Sequence, residues 1–249
     1  QIRLPLTVYR TEKRHAPKAP NQTRKGTSMN ITTKTVLTTT LALLLLLPLL
    51  PIQAAHHEQW TTLFNGKNLD GWIQLGGKAN YVATDGILHG SSVSNTPNTF
   101  LCPDKKYMDF ELTFDVKCDP GLNSGVQIRS YNTVEDIPAG LDEKQQERAQ
   151  KRVSTNSLAG PQVEIAAGGG AGGVYFEGVG GWLLEPNKEA ANNAYKKEDW
   201  NTYRVLAKGE NVKIWINDTL INDGNIASAA DKAGYLGFQV HGVGKRTET

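Results

Sequence analysis

From Trp60 onward, apolar and polar residues alternate with a period of two, interrupted by clusters of Gly, Asn, Asp and Pro. In "DFELTFDVK", Phe110, Leu112, Phe114 and Val116 alternate with Glu111, Thr113, Asp115 and Lys117. "SGVQIRS", "GPQVEIA", "GGVYFEG", "WNTYRVLAKG", "ENVKIWIND" and "GYLGFQVHG" follow the same rule, with turn signals such as "KGEN" and "NDGN" among them. Successive side chains of a strand point to opposite faces, so each segment offers one apolar face to a core. Many short strands with few helices predict an all-β protein, a two-sheet antiparallel jelly-roll sandwich. One segment breaks the rule. Between Thr133 and Leu158, "AGLDEKQQERAQKRV" is charged and rich in helix formers, which predicts one short exposed helical insertion inside a long loop. A loop of this length is either disordered or functional. In the second case it overhangs the active face as a lid.

The N-terminal part has a different character. Met29 opens "MNITTKTVLTTTLALLLLLPLLPIQAA", where Lys34 precedes an apolar run from Val36 to Ile52 that ends in Ala54 and Ala55. That is the layout of a secretory signal peptide, and residues 29–54 are read as one, cleaved after Ala54. Pro48 and Pro51 stop the run short of the ~20 residues that a membrane span needs. Residues 1–28 are basic and do not begin with Met, and are read as a disordered or non-native upstream extension without an apolar period. The expected mature domain is therefore 55–249, periplasmic or secreted and without a stable membrane anchor. The charge changes with that boundary. Residues 1–54 hold 8 of the 27 basic side chains and 1 of the 25 acidic ones, so the mature part carries 19 against 24. No basic stripe remains, and nucleic acid is not expected as a partner. The two cysteines, Cys102 and Cys118, are expected as free thiols. If "NTFLC" and "DFELTFDVK" pair as a hairpin, they lie about 26 Å apart, against the ~7 Å limit for a disulfide.

Gly168, Gly170 and Gly173 spell GxGxxG, which in a dinucleotide fold follows a strand and opens a helix. Here "VYFEG" follows, a β-branched and aromatic strand, so these glycines are read as a flexible connection between strands. The residues beside them carry more. In "GPQVEIA", Val163 and Ile165 oppose Gln162 and Glu164; in "SGVQIRS", Val126 and Ile128 oppose Gln127 and Arg129. In "GGVYFEG", Val174 and Phe176 oppose Tyr175 and Glu177, and in "GYLGFQVHG", Leu236, Phe238 and Val240 oppose Gln239 and His241. A half-buried strand always has a solvated face, but these four lack the usual surface lysines. Amides, a guanidinium, carboxylates and an imidazole suit a polyol such as a saccharide. His241 by itself equally suits a structural hydrogen bond, and Trp182 either stacks on a sugar ring or caps the core.

"LFNGKNLDGW", "GLNSGVQIRS", "GPQVEI", "GGVYFEG…GGWL", "DWNTYRV" and "GYLGFQVHG", in this order, resemble the 3-keto-disaccharide hydrolase family of exported bacterial proteins. The resemblance runs from about Trp60 to Gly244 and implies a concanavalin A-like (laminin-G-like) jelly roll. It also implies chemistry on 3-keto-glycosides: the ketone acidifies the hydrogen on carbon 2, a base removes it, the carbon-1 substituent leaves, and water adds. Within that scheme Glu164 is the preferred base with His241 as alternative, Arg129 stabilises the enolate oxygen, and Glu177 is a second acid or base. Gln127, Gln162, Tyr175, Trp182 and Gln239 are the expected substrate-binding residues. A divalent metal held by His241 with Glu164 or Glu177 is left open, since no compact metal-spacing motif supports one. Two departures from the family pattern stand out. Ala166 occupies a position that is often acidic, and the usual strand after "HG" is missing, which suggests a truncated C-terminus. A conventional glycoside hydrolase with a Glu164–Glu177 pair and a non-catalytic carbohydrate-binding module are the competing expectations.

Overall fold

The structure, a computed structural model, describes residues 2–10, 60–119, 121–166 and 169–244. The expected leader at 29–54 and the residues after Gly244 lie outside the described residues. In chain order the strands are β1 (Ile2–Arg10), β2 (Trp60–Thr62), β3 (Trp72–Gly76), β4 (Asn80–Thr84), β5 (Ile87–Ser91) and β6 (Thr99–Pro103). There follow β7 (Lys106–Tyr107), β8 (Phe110–Val116), β9 (Asn123–Ser130), helix α1 (Glu143–Val153), β10 (Gly160–Ala166), β11 (Val174–Glu177) and β12 (Trp182–Leu184). Helix α2 (Lys188–Ala194), β13 (Asn201–Lys208), β14 (Asn211–Ile216), β15 (Thr219–Asn225) and β16 (Gly234–Val240) complete the order.

The strands form two antiparallel sheets, as the alternation predicts, and the fold is a β-sandwich with a helical insertion. One sheet runs β15-β14-β13-β8-β1-β5-β4, with β2 beside β1; the other runs β12-β11-β10-β9-β16-β6-β3, with β7 beside β16. Phe110, Leu112, Phe114 and Val116 of β8 face inward with Tyr203 and Val205 of β13, against Val126, Val163, Ile165 and Phe238 of the second sheet. Phe114 joins the layers: its ring stacks on Tyr203 at 5.4 Å and meets the Phe238 edge at 5.3 Å.

The second sheet departs from simple alternation of burial. β9, β10 and β16 are buried along most of their length on both faces. The insertion covers one end of the outer face, and polar side chains packed on one another fill its middle. α1 is capped by Asp142, whose side chain accepts from the Gln145 N–H while Gln145 returns a bond to the Asp142 backbone. Its Ala149 and Val153 pack on Phe176 and Val179, and the following loop drops Leu158 onto Phe100 and Cys102. Leu158 can approach because β16 carries Gly237 there; a Cβ at Gly237 would lie 2.8 Å from the Leu158 methyl and 3.1 Å from the Cys102 sulfur. The insertion thus packs against one end of the outer face of this sheet.

Four expectations change. Ile2–Arg10 is a strand, paired with β8 through Ile2↔Val116 to Arg10↔Phe110. Its Ile2, Leu4, Leu6 and Val8 do alternate, a period that the basic character of residues 1–28 masks. The register shifts between Arg3 and Thr7, around Pro5, which has no N–H for a ladder. A second helix, α2, was not anticipated; Asn187 caps it by accepting from the Ala190 N–H. The hairpin proposed for Cys102 does not exist, because β6 pairs with β16 and β3 while β8 lies in the other sheet. Both cysteines are nevertheless free thiols.

The fourth change is Arg129. Its φ of +47° breaks the alternation of β9, and β16 meets this irregularity with a register shift between Tyr235 and Gly237. A side chain at Gly234 would collide with the Arg129 backbone. As a result the guanidinium turns away from Gln127. It donates to the carbonyls of Met108 and Gly209 and pairs with Asp109 at 3.0 Å, with 1% of its side chain exposed. Asp109 also accepts from the Gly209 N–H at 2.9 Å. Arg129 is therefore a tie between β9 and the ends of β8 and β13. Removing one partner of a buried pair leaves an uncompensated charge, so Arg129→Ala is expected to cost about 3–5 kcal/mol. Urea unfolding of the variant checks this, and a loss below about 1 kcal/mol would refute the role.

Candidate functional site

Pairing of β9, β10, β11 and β16 brings the polar positions of four segments onto one surface. Gln162 lies opposite Gln127 on one side and Tyr175 on the other, and Glu164 lies opposite Gly125. Gln127, Gln162, Glu164 and Gln239 are all more than nine-tenths buried, so their polar atoms require partners. The partners are mostly one another, and Gln239 Oε1 is left without one among the described residues. Ser130 Oγ donates to Gln127 Oε1, which leaves Gln127 Nε2 to donate to Gln162 Oε1 at 2.8 Å. Gln239 Nε2 donates to the same oxygen at 2.9 Å. With its carbonyl oxygen taken twice, Gln162 presents its amide N–H to Glu164 Oε1 at 2.7 Å. Asn123 Nδ2 meets the other carboxylate oxygen at 3.1 Å. The network has a direction: hydroxyl to amide to amide to carboxylate, with Glu164 as the final acceptor.

The backbone of Glu164 is equally fixed. Its N–H donates to the Gly173 carbonyl at 2.9 Å and its carbonyl accepts from Gly172 at 3.0 Å. The same carbonyl accepts from the wholly buried Tyr203 hydroxyl at 3.3 Å, across the sandwich. Gly125 is required beside it, since a Cβ there would lie 2.5 Å from Gln162 Cγ. Burial pushes the Glu164 carboxyl above its ordinary range, the Gln162 and Asn123 hydrogen bonds draw it down, and smaller effects of Glu177 and His241 oppose each other. The net shift is upward. A raised folded value means that ionisation is resisted by the fold, so stability is highest below the ordinary carboxylate range and is lost as pH rises through the raised value.

His241 sits on the exposed end of β16. Its Nδ1 lies 2.9 Å from the Gly242 carbonyl; a carbonyl only accepts, so Nδ1 carries the proton and Nε2 is the basic nitrogen of the neutral ring. Glu177 lies apart from Glu164, opposite Gly160 at the other end of β10. Its Oε1 accepts from Arg152 of α1 at 2.5 Å and from Asn98 at 3.0 Å, and Arg152 also lies over the Phe100 ring. Glu177 thereby fastens the insertion. Tyr175 and Trp182 are cross-strand neighbours with rings 5.5 Å apart and nearly perpendicular. Beneath the strand ends of Asn123, Gln239 and His241, between the sheets, lies a cavity of about 380 Å³ floored by Leu88, Val116, Ile165 and Phe238.

Of the residues expected on this face, Gln127, Gln162, Glu164 and Gln239 come together, Tyr175, Trp182 and His241 border them, Glu177 stands off, and Arg129 is elsewhere. Asn123, Ser130, Asn98 and Arg152 were missed. Asn123 was legible, because it shares the parity of Gly125 and Gln127 on β9. Ser130 joins the face only through the Arg129 bulge, and Asn98 is 79 residues from its partner, so neither left a signal. Among the described residues no group of three or more His, Cys, Asp and Glu is gathered to hold a metal ion. No helix among them is long and apolar enough to cross a membrane.

A family model described as the 3-keto-alpha-glucoside-1,2-lyase-like domain matches residues 59–248. No curated protein matches the chain. Among solved structures, a Parabacteroides distasonis ATCC 8503 protein with a provisional glycosyl hydrolase name is 20% identical over 73% of this chain and 87% of its own, with a TM-score of 0.47. The carbohydrate binding module CBM66 of Bacillus subtilis is 16% identical over 71% of this chain and 96% of its own, with a TM-score of 0.47. The carbohydrate recognition domain of Emp46p is 12% identical over 69% and 80%, with a TM-score of 0.37.

The geometry yields one electrostatic prediction. Asn123 supplies a donor that favours the charged form of Glu164, so Asn123→Ala is expected to move the carboxyl titration to higher pH. Carbon-13 NMR of labelled glutamate reads it directly. A titration that stays put or moves down would show that the contact is not formed.

Proposed function

The chain belongs to the 3-keto-alpha-glucoside-1,2-lyase-like family, a family of carbohydrate-acting proteins, and we propose that it cleaves 3-keto-glycosides at the face that carries Glu164. The observation that carries the proposal is the Glu164 carboxylate: a buried acid, acceptor-only toward two amide donors, at the end of a directed network. A base is most effective when its pKa approaches the working pH, and burial moves Glu164 in that direction. In the proposed cycle Glu164 removes the proton on carbon 2 of the 3-keto sugar, and the C–H electrons pass into the enolate. Their return breaks the bond from carbon 1 to the leaving oxygen, which takes up a proton and departs as an alcohol. Water then adds across the carbon 1–carbon 2 double bond, its oxygen to carbon 1 and a proton to carbon 2. His241, exposed and with Nε2 as its basic nitrogen, is the second proton carrier and the alternative base. Arg129 has no part in the scheme, being committed to Asp109 and two carbonyls.

The conventional hydrolase reading needs Glu164 and Glu177 as a pair. Glu177 is committed to Arg152 and Asn98, which leaves it poorly placed to act as an acid or a base. That favours the elimination scheme. The concanavalin A-like form of the sandwich and export through the leader at 29–54 belong to the same proposal. An exported product beginning at Ala55 by N-terminal sequencing is the expected outcome for the leader; Leu41–Leu47 retained in a membrane fraction would contradict it.

Glu164→Gln removes the base and keeps the shape and one acceptor oxygen for Gln162, while its new N–H₂ is met by rotation of the Asn123 amide, which then accepts. Turnover of a 3-keto-glucoside is expected to fall ~10²–10⁴-fold with the melting temperature maintained or raised. In D₂O the wild-type protein is expected to exchange the carbon-2 hydrogen, which direct displacement at carbon 1 does not do. Near-normal turnover by Glu164→Gln would transfer the base role to His241, and binding without turnover by the wild type would leave a binding module.

A further inference from the structure

The exposed indole of Trp182 stands out beside the Glu164 network. The residue is 41% exposed although its ring is held by neighbours. Tyr175 meets it edge-on at 5.5 Å and 80°. Gly173 lies behind it: a Cβ there would sit 2.7 Å from Trp182 Cζ3 and 2.9 Å from Pro186 Cδ. An aromatic ring held in a fixed pose with an open surface is suited to stack on the apolar C–H face of a sugar ring. Its place is set by the sheet. Gly173 is the direct cross-strand neighbour of Glu164, through the bond from the Glu164 N–H to the Gly173 carbonyl. The Cζ3 edge of the indole therefore lies over Gly173, one strand spacing, ~4.8 Å, from the backbone of Glu164, a spacing comparable to one pyranose ring.

We propose that Trp182, held by Tyr175 and seated in the space that Gly173 leaves, is the subsite for the leaving group, and that it takes a second sugar ring or another ring-bearing aglycone. This rests on Glu164 as the base at carbon 2: with the oxidised ring against Glu164, the carbon-1 substituent extends one ring length and reaches the indole. Gly173 is a specificity-determining position. Its backbone carries no positive φ that would forbid alanine, so the barrier to Gly173→Ala is steric, and the added methyl displaces the indole. Trp182→Phe keeps a stacking face and Trp182→Ala removes it.

The test compares kcat/KM for 3-keto-trehalose or 3-keto-lactose with that for methyl 3-keto-glucoside, which has no second ring. Trp182→Ala and Gly173→Ala are expected to lower the disaccharide-to-methyl ratio about 3- to 10-fold, and Trp182→Phe by less than Trp182→Ala. An equal fall for both substrates would overturn the proposal, since the indole would then serve the oxidised ring or the fold. A second measurement separates this from the identity of the base. In Glu164→Gln, the nitrogen-15 indole signal of Trp182, assigned by its loss in Trp182→Phe, is expected to shift on titration with the disaccharide and much less with the methyl glycoside. An unmoved signal would overturn the subsite whatever the role of Glu164; a shifted signal with turnover intact in Glu164→Gln would keep the subsite and remove the base.

Discussion

A carboxylate removed from water on the outer face of a sheet must find donors, and here the donors are amides that must themselves be satisfied. That constraint orders the centre of this protein. Gln162 can aim its N–H at Glu164 only because its carbonyl oxygen is already met by Gln127 and Gln239. Gln127 in turn accepts from the Ser130 hydroxyl. Each amide has two possible orientations, and the acceptor-only carboxylate selects one for the set, to which the Ser130 hydroxyl adapts. In a low-dielectric setting such a network is strong when complete and costly when broken, which gives Glu164 a defined position and a defined acceptor role.

The same network depends on an irregular backbone. Ser130 reaches Gln127 because Arg129 adopts a left-handed conformation and the strand loses its alternation there. That conformation is held by the buried Arg129–Asp109 pair and by Gly234, which leaves room for the Arg129 backbone. A residue that resembles a catalytic cation in the sequence therefore has a structural task. It sets the phase of the strand so that a hydroxyl, rather than a guanidinium, faces the amides.

The insertion links the network to the rest of the surface. Arg152 and Glu177 join α1 to β11, while Leu158 covers Phe100 and Cys102 through the gap at Gly237. One end of the outer face is dry and apolar, the middle holds the amides and the carboxylate, and the side at β12 offers the open indole of Trp182. The gradient from sealed to open runs along a single sheet, with the Glu164 carboxylate in its middle.

The sequence by itself determined the periodicity, and with it the strands, the inward positions of Phe110, Leu112, Phe114, Val163 and Phe238, the helix in the insertion, and the parity that groups Gln127, Gln162, Glu164 and Gln239. These are local properties: alternation and helix propensity are set by neighbours a few residues apart. What only the tertiary structure decided depends on contacts between distant segments. The Arg129 bulge breaks the parity of β9 because Asp109, Gly209 and Gly234 converge on it, and no count along the strand anticipates that. Cys102 lies in the opposite sheet from β8 because pairing is chosen by the whole sandwich, and Asn98 reaches Glu177 across 79 residues of chain. Even the burial of the polar face belongs to this class. Period two assigns a side chain to a face, but whether that face is wet is decided by what folds over it.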